Sequence, residues 1–301
     1  VTISAAGSGK AQIAYLSGAV RDEALGYRTR NFGILVTPLM GNTPVGPGLH
    51  AHDNGVFTEW KTKGKKPFNL AAFLRHLDKW HGVRRSCLFA VAPDVIGDWQ
   101  ATLARSAPVL PLIRAKGYRA ALVAQDGLEN HLDAIPWGTF DVLFLGGGQD
   151  PKYVSKTNRV RVKGPTGRMR WVGEWKLTPG AARVVAAARA RGVDVHMGRV
   201  NSLKRLRYAQ AIGCTSADGT IIGYAPDVRT PEVQGWLRET DADAADNASI
   251  CFVCRGRIEA WAKAQHVEPA MLYARELTRR AGRPDPHQTH PARPRQAAVA
   301  A

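Results

Sequence analysis

Three aspartates, each standing just after a short apolar run, are the groups in this chain best suited to covalent chemistry: Asp53, Asp94 and Asp218. The segments that follow the runs read Asp53-Asn-Gly-Val-Phe57, Pro93-Asp94, Gln125-Asp-Gly127, Gly146-Gly-Gly148, Met197-Gly-Arg199 and Asp218-Gly219. Neither a Cys/His set, a Ser/His pair nor a phosphate loop occurs at these positions. Asp and Gln suit the hydrogen-bonding edge of a flat polar heterocycle, with an aromatic ring and a thioether for its faces. Two separated carboxylates also suit chemistry at an anomeric carbon, one as nucleophile and one as acid/base. Each aspartate taken singly reads equally well as a helix N-cap after a strand. Their conjunction is what points to a site.

That site exists only if the runs are strands of one sheet. The runs are Ile13–Leu16, Phe32–Val36, Leu49–His52, Leu88–Ala92, Ala120–Ala124, Val142–Leu145, Val193–His196 and a weaker Thr215–Ala217. Helical stretches lie between them at Leu70–Trp80, Trp99–Lys116, Gly180–Arg191 and Ser202–Ile212. Parallel neighbours need crossovers of about a dozen residues or more, so eight runs with helical connections predict an α/β fold, a (β/α)8 barrel. A doubly wound open sheet is the alternative. In the barrel, reacting groups stand at the carboxyl-terminal strand ends, where the quoted segments fall.

Residues 1–281 read as one barrel domain and 282–301, rich in Pro, Arg, His and Ala without periodicity, as a disordered basic tail. An insertion at 150–172 breaks the rhythm. Arg159-Val-Arg-Val-Lys163 and Arg168-Met-Arg-Trp-Val172 alternate about Gly164-Pro-Thr-Gly167, which predicts a basic β-hairpin with Arg159, Arg161, Lys163, Arg168 and Arg170. The whole chain carries Lys+Arg 42 against Asp+Glu 25, a formal net charge of +17. Such a surplus favours a polyanionic partner, because basic groups that neutralise phosphates release condensed counterions. Hydrophobic residues at 45% exclude wholesale disorder. The chain shows no apolar run of about 18 residues and no secretory layout at Val1–Lys10, so no membrane partner and a cytoplasmic location are expected. Its four cysteines do not make a disulfide scaffold.

The order Asp53-Asn-Gly-Val-Phe57, Pro93-Asp94, Val123-Ala-Gln125, Leu145-Gly-Gly147, His196-Met-Gly198 and Ala217-Asp218 resembles the queuine/archaeosine tRNA-guanine transglycosylase superfamily, in particular its phage-type branch of deazaguanine DNA transglycosylases. Gly173-Glu-Trp-Lys-Leu177, His196–Ser202 and Arg205-Leu-Arg-Tyr208 extend the likeness, which covers Phe32 to Asp227. The resemblance implies a (β/α)8 fold and exchange of guanine for a free 7-deazaguanine base by double displacement. It implies Asp218 as the nucleophile on C1′ and Asp53 as the acid/base. It implies Asp94, Gln125 and the Gly147 backbone on the base edge, Phe57 and Met197 on the base faces, and Glu174 on the 7-substituent or amide edge. No nicotinamide, flavin or catalytic metal is implied.

The tRNA enzymes of that superfamily carry a structural zinc set in a C-terminal extension. Here only Cys251-Phe-Val-Cys254 occurs, with His266, His287 and His290 downstream. Cys251, Cys254, His287 and His290 supply four zinc ligands formally. The cysteines fall in a helical stretch, Ala248–Ala264, and the histidines in the tail, so idle thiols are favoured over zinc. Lacking that extension and carrying a basic hairpin, the chain reads as a DNA modifier, with tRNA the nearest alternative partner and a non-catalytic nucleic-acid-binding barrel the alternative of another class. Arg199, Lys204, Arg205 and Arg207, with Lys61-Thr-Lys-Gly-Lys-Lys66, are further phosphate candidates. Gly7-Ser-Gly-Lys10 lacks the first glycine and the final hydroxyl of a P-loop. His50, His52 and His196, near strand ends, offer a metal site, and His50, His52 and Asp53 a metal-hydrolase reading, against which alternating histidines on one strand are more often packed or surface residues. Asp241–Asp246 reads as a solvated helix start.

Overall fold

A computed structural model describes residues 13–18, 31–38, 42–44, 48–62, 65–164 and 166–249. Its strands in chain order are β1 (Ala14–Ser17), β2 (Phe32–Val36), β3 (His50–His52), β4 (Cys87–Val91), β5 (Ala120–Ala124), β6 (Val142–Leu145), β7 (Gln149–Asp150), β8 (Val160–Lys163), β9 (Met169–Glu174), β10 (Asp194–Met197) and β11 (Ser216–Gly219). Among the described residues, β1 to β6, β10 and β11 close one parallel barrel in that cyclic order, β11 pairing with β1. This is a (β/α)8 barrel, and every expected run forms a strand within two residues of its expected bounds.

The barrel arises from a period of two along its strands. Leu16, Leu35, Ala51, Phe89, Val91, Ala121, Val123 and Val142 fill the interior with Phe144 against them. Their strand neighbours, such as Ile34, Leu122, Leu143, Leu145, Val195 and Met197, face outward and pack under the helices. That outer layer is completed by Phe73 and Leu77 of α2 (Leu70–Lys79), Val184 and Val185 of α5 (Pro179–Ala190), Leu206 of α6 (Leu203–Ile212) and Trp236 of α7 (Pro226–Ser249). The helix starts are capped by side chains: Asn69 Oδ1 accepts from the Ala72 amide, Thr178 Oγ1 from Ala181 and Ser202 Oγ from Arg205.

Two elements differ from expectation. The stretch Trp99–Lys116 is not one helix but two, α3 (Trp99–Ser106) and α4 (Leu110–Ala115). Pro108 has no N–H to give the Ala104 carbonyl and its ring opposes a continuous helix, so the chain turns there. Asp241–Asp246 lies in the second half of α7 rather than at a helix start. The hairpin forms as expected: β8 and β9 pair antiparallel, and β7 adds to β9 as a third strand. Leaving β6 and returning to α5, this sheet grows from the carboxyl-terminal mouth. All but the first two residues of Ala248–Ala264, the four formal zinc ligands, Gly7–Lys10 and the tail 282–301 lie outside the described residues.

Candidate active site

At the carboxyl-terminal ends of the strands, the inward parity that carries Leu and Val deeper in the barrel carries acids. Asp218 follows Ser216 inward on β11, and His196 occupies the matching inward position on β10. His196 is fully buried with its ring between Phe89 and Phe144, centroids 4.8 and 4.6 Å away. Its Nε2 lies 3.0 Å from Asp218 Oδ1 and its Nδ1 2.8 Å from Ser216 Oγ. Both contacts are satisfied when Nε2–H donates to the carboxylate and the serine hydroxyl donates to Nδ1. The second Asp218 oxygen lies 3.4 Å from the Arg199 amide, so His196 holds one oxygen and leaves the other toward the mouth.

Asp53 extends β3 inward and ends in a turn with Gly55 at φ +79°, and its Oδ1 accepts from the Asn54 amide at 2.9 Å. Burial pushes its carboxyl up to about 7, with the charges of Asp94 and Asp218 adding to the rise against the Asn54 and Gly55 amides. Asp53 therefore feels the charges of both Asp94 and Asp218. The capping alternative does not hold for Asp94 and Asp218: Asp98 caps α3, and the turn after Asp218 has no side-chain cap.

Asp94 and Gln125 form a tied network. Asp94 Oδ1 accepts from Asn54 Nδ2 at 2.9 Å and Oδ2 from Gln125 Nε2 at 2.7 Å. Gln125 Oε1 accepts from the Gly97 and Gly147 amides at 2.9 and 3.1 Å. Gln125 Oε1 is thus filled, one Nε2 hydrogen is spare, and each Asp94 oxygen keeps a lone pair. Burial raises the Asp94 carboxyl, opposed by these donors and Arg105. Gly147 has φ +84° and backs onto Trp175, where a Cβ would sit 2.6 Å from the indole. Its amide is committed to Gln125, so only its carbonyl is left for a base.

Phe57, in the first turn of α1 (Val56–Lys61), is 41% exposed at the mouth, and the Arg199 guanidinium lies over its ring at 4.3 Å. Arg199 holds φ +60°, a left-handed backbone that a non-glycine residue adopts at a cost. Met197 is a correction. It is fully buried in the outer layer with Val195, because the parity that turns His196 inward turns Met197 outward. It cannot be the second face of a ligand sandwiched with Phe57.

Glu174, at the end of β9, reaches the same region with companions the sequence reading passed over. Its Oε1 accepts from Arg205 Nη2 at 3.0 Å and Gln149 Nε2 at 3.1 Å, and Lys176 Nζ lies 3.5 Å from Oε2. Burial alone would raise this carboxyl, but Lys176, Arg205 and Gln149 outweigh it and hold it below its usual range. Lys176 is buried, donates to the Gly198 carbonyl at 2.6 Å, and is pushed down to about 8 by burial against the pull of Glu174 and Asp218. The missed residues His196, Lys176, Asn54 and Ser216 had one usable signal. His196 and Ser216 share the strand parity of Asp218, whereas Lys176 sits in a 3₁₀ turn with no period to betray it.

The basic candidates divide. Arg205 is spent on Glu174 and the Arg199 carbonyl. Arg207 is buried and paired with Glu239 at 3.1 Å, which corrects its reading as a phosphate contact. Lys204 is exposed. On the hairpin, Arg161 faces Trp171 and Lys163 faces Met169 in register, with Arg159 and Arg161 lying 5.1 and 5.8 Å from the Trp171 ring. Trp171 is 48% exposed. Arg170 pairs with Val162 and so belongs to the opposite face, while Arg168 is at the turn. The joint metal reading of His50, His52 and Asp53 fails on geometry, since both histidines face outward, His52 against His76 and Tyr118, and Asp53 faces inward.

No family model and no curated protein matches the chain. Solved structures with a similar chain path include a ligand-free mutant of tryptophan synthase from M. tuberculosis, at 14% identity and TM-score 0.35 over 63% of this chain and 59% of that one. A lead(II) complex of Haloferax volcanii malate synthase gives 12% identity and TM-score 0.40, over 89% and 88% of the two chains. An HpcH/HpaI aldolase from Desulfitobacterium hafniense gives 11% and 0.36, over 75% and 93%. The chain spans 59% of the length of the tryptophan synthase chain it matches. At such identities these likenesses concern the fold alone.

Proposed function

We propose that this protein exchanges guanine in a nucleic acid, DNA in the first place, for a free 7-deazaguanine base through a covalent glycosyl-aspartate. The observation that carries the reading is the convergence of Asp53 and Asp218 in one mouth under opposite constraints. Burial and like charge favour the proton on Asp53, while His196 donates to Asp218. A proton-holding acid beside a hydrogen-bonded carboxylate is what double displacement at C1′ requires.

Asp218 attacks C1′, the bond to N9 of guanine breaks with its electron pair on the base, and Asp53 gives that base a proton. The incoming base then loses its N9 proton to Asp53 while N9 displaces Asp218 from C1′, which restores the enzyme. The Asp94–Gln125 pair suits the same base. The lone pairs left on Asp94 match the N1–H and N2–H donors of guanine, and the spare Gln125 hydrogen matches O6. Phe57 supplies one stacking face, with the Arg199 guanidinium moving aside or lying over the opposite face of the base. A duplex guanine must be extruded to reach the mouth, at about a few kcal/mol of unstacking. The Trp171 face with Arg159, Arg161 and Lys163 combines a stacking platform with cations, which suits the unpaired strand.

The test incubates the protein with labelled guanine in DNA or tRNA and a free 7-deazaguanine. Release of label from DNA, with mass gain in the nucleoside digest and an adduct trapped only when Asp218 is present, is expected. Release from tRNA alone overturns the substrate, and release from neither overturns the chemistry.

A further inference from the structure

The groups behind the barrel wall at β3 and β4 are not used by the chemistry above. His50 and His52 are both fully buried and point out of the barrel, and Cys87 begins the neighbouring strand. One ligand atom from each of the three lies within 4.8 Å of the other two. The Nδ1 of His50 is 3.0 Å from the Gly48 carbonyl, and that of His52 is 3.0 Å from His76 Nε2. Both Nε2 atoms are buried without a hydrogen-bond partner. An unmet buried polar atom is costly, and here there are two on neighbouring histidines of one strand.

We propose that His50, His52 and Cys87 form a binding site for a thiophilic late transition-metal ion, zinc foremost, that staples β3 to β4. The donor set suits it: imidazole with one thiolate is the company that zinc and copper(I) prefer over magnesium or calcium. The outer partners suit it too. A ring that donates Nδ1–H to a carbonyl presents a lone pair at Nε2, and His50 does so to Gly48. His52 presents the same face when its Nδ1–H donates to His76.

Zn–N and Zn–S bonds place neighbouring ligands about 3.5 Å apart, within reach of small side-chain rotations from the present spacing. A thiolate is the ligand, so the metal displaces the Cys87 proton to solvent and binds more tightly as pH rises.

The site has an entry path and a mechanical purpose. Cys87 lines a cavity of about 370 Å³ at the amino-terminal end of the barrel, beside Arg84, Arg119, Phe89 and Ser216. Water from that cavity completes the coordination. Strand β3 has three residues, and its pairing with β4 shifts register between His50 and His52, so its hold on the barrel is weak where the cluster lies. The next residue along is Asp53.

The experiment uses the full chain with Cys251 and Cys254 changed to Ser, which removes the tail thiols. After zinc loading and gel filtration, about one zinc per chain by mass spectrometry is expected. Cobalt(II) substitution should give an intense thiolate-to-metal absorption band. Cys87→Ser should abolish the band and weaken zinc binding at least tenfold, and His50→Asn should weaken binding by a similar factor. Zinc should raise the thermal midpoint of the Cys251/Cys254 variant and leave that of Cys87→Ser unmoved. A metal-free Cys251/Cys254 variant without a cobalt band, or an undiminished band in Cys87→Ser, overturns the site. Should Cys87→Ser not fold, the zinc content and cobalt band of the Cys251/Cys254 variant decide alone. None of these readouts depends on base exchange.

Discussion

At the amino-terminal end of the barrel, charge is paired and wet: Arg114 with Asp141, Arg119 with Asp194, and Lys116 with Asp78, all at half-exposed or exposed side chains. At the carboxyl-terminal end, Asp53, Asp94 and Asp218 crowd together, with Asp53 lifted to about 7 by burial and by the other two. The Glu174, Lys176 and Arg205 group beside them is compensated but dry. The same strands begin in one environment and end in the other. Pairs in water add little stability, whereas desolvated like charges subtract from it. Carboxylates perturbed by burial and like charge mark a candidate site, so the contrast supports placing the proposed chemistry at the carboxyl-terminal mouth.

The largest effect should come from removing the group that this contrast singles out as nucleophile. Asp218→Asn should lower base exchange by about 10⁴-fold or more and abolish the trapped adduct in single-turnover assays, with substrate affinity little changed. Residual adduct in that variant would move the nucleophile elsewhere.

Asp53→Asn comes next and should split activity from stability. Loss of the acid/base should lower kcat by about 10²- to 10⁴-fold. The stability change has a determinable sign. The folded-state carboxyl is raised above its unfolded value, so ionisation destabilises the fold as pH climbs from about 4 to about 7 and throughout the range above. Asparagine lacks that charge. The variant should therefore melt higher than the parent at pH 8 and nearly alike at pH 4. In the parent, kcat/KM should fall above about pH 7, as the leaving base loses its proton donor. A melting difference that grows toward low pH contradicts the reading.

His196→Ala should be milder in rate and clear in stability. It strands Asp218 without its buried partner and opens a space between Phe89 and Phe144, a loss of about 3 kcal/mol in denaturant titrations.

The mouth was legible in the sequence because strand parity and a strand-end position are both local. Asp53, Asp94, Gln125 and Asp218 each follow an apolar run, and the eight runs fix the barrel. Met197 on the base came from the resemblance, and parity overturns it: next to His196 on β10, one of the two has to face the helices, and the histidine takes the interior through Asp218 and Ser216. Partners chosen across the fold were not legible. Nothing near Lys176 announces the Gly198 carbonyl, and nothing near Arg207 announces Glu239 on another helix. The break of α3 from α4 was legible in Pro108 and was overridden by the apolar period around it.

The hairpin offers a smaller effect with an internal control. Arg161 shares the exposed Trp171 face and Arg170 the opposite one. Arg161→Ala should reduce the slope of log affinity against log salt by about one unit, and Trp171→Ala should weaken single-strand binding by about 1–3 kcal/mol. Arg170→Ala should change the slope less than Arg161→Ala. Equal losses from both arginines would mean that charge alone, and not the stacked face, meets the strand.

The smallest effect belongs to the amino-terminal end and completes the contrast. Arg114 meets Asp141 through two hydrogen bonds, at 3.1 and 2.8 Å, the best geometry of the pairs there. With side-chain exposures of 37% and 30%, water and salt screen most of the attraction. Asp141 also accepts from the Ala120 amide at the start of β5, so replacing the aspartate removes more than the ion pair. Arg114 also donates to the Gly138 carbonyl at 2.8 Å, but that bond is exposed, so the arginine is the milder probe. Arg114→Ala should cost about 1 kcal/mol or less at low salt, less again at high salt, and leave kcat unchanged. If instead it slows turnover, the two ends of the barrel are coupled, and charge at the amino-terminal end has to be read as part of the site rather than as its structural counterweight.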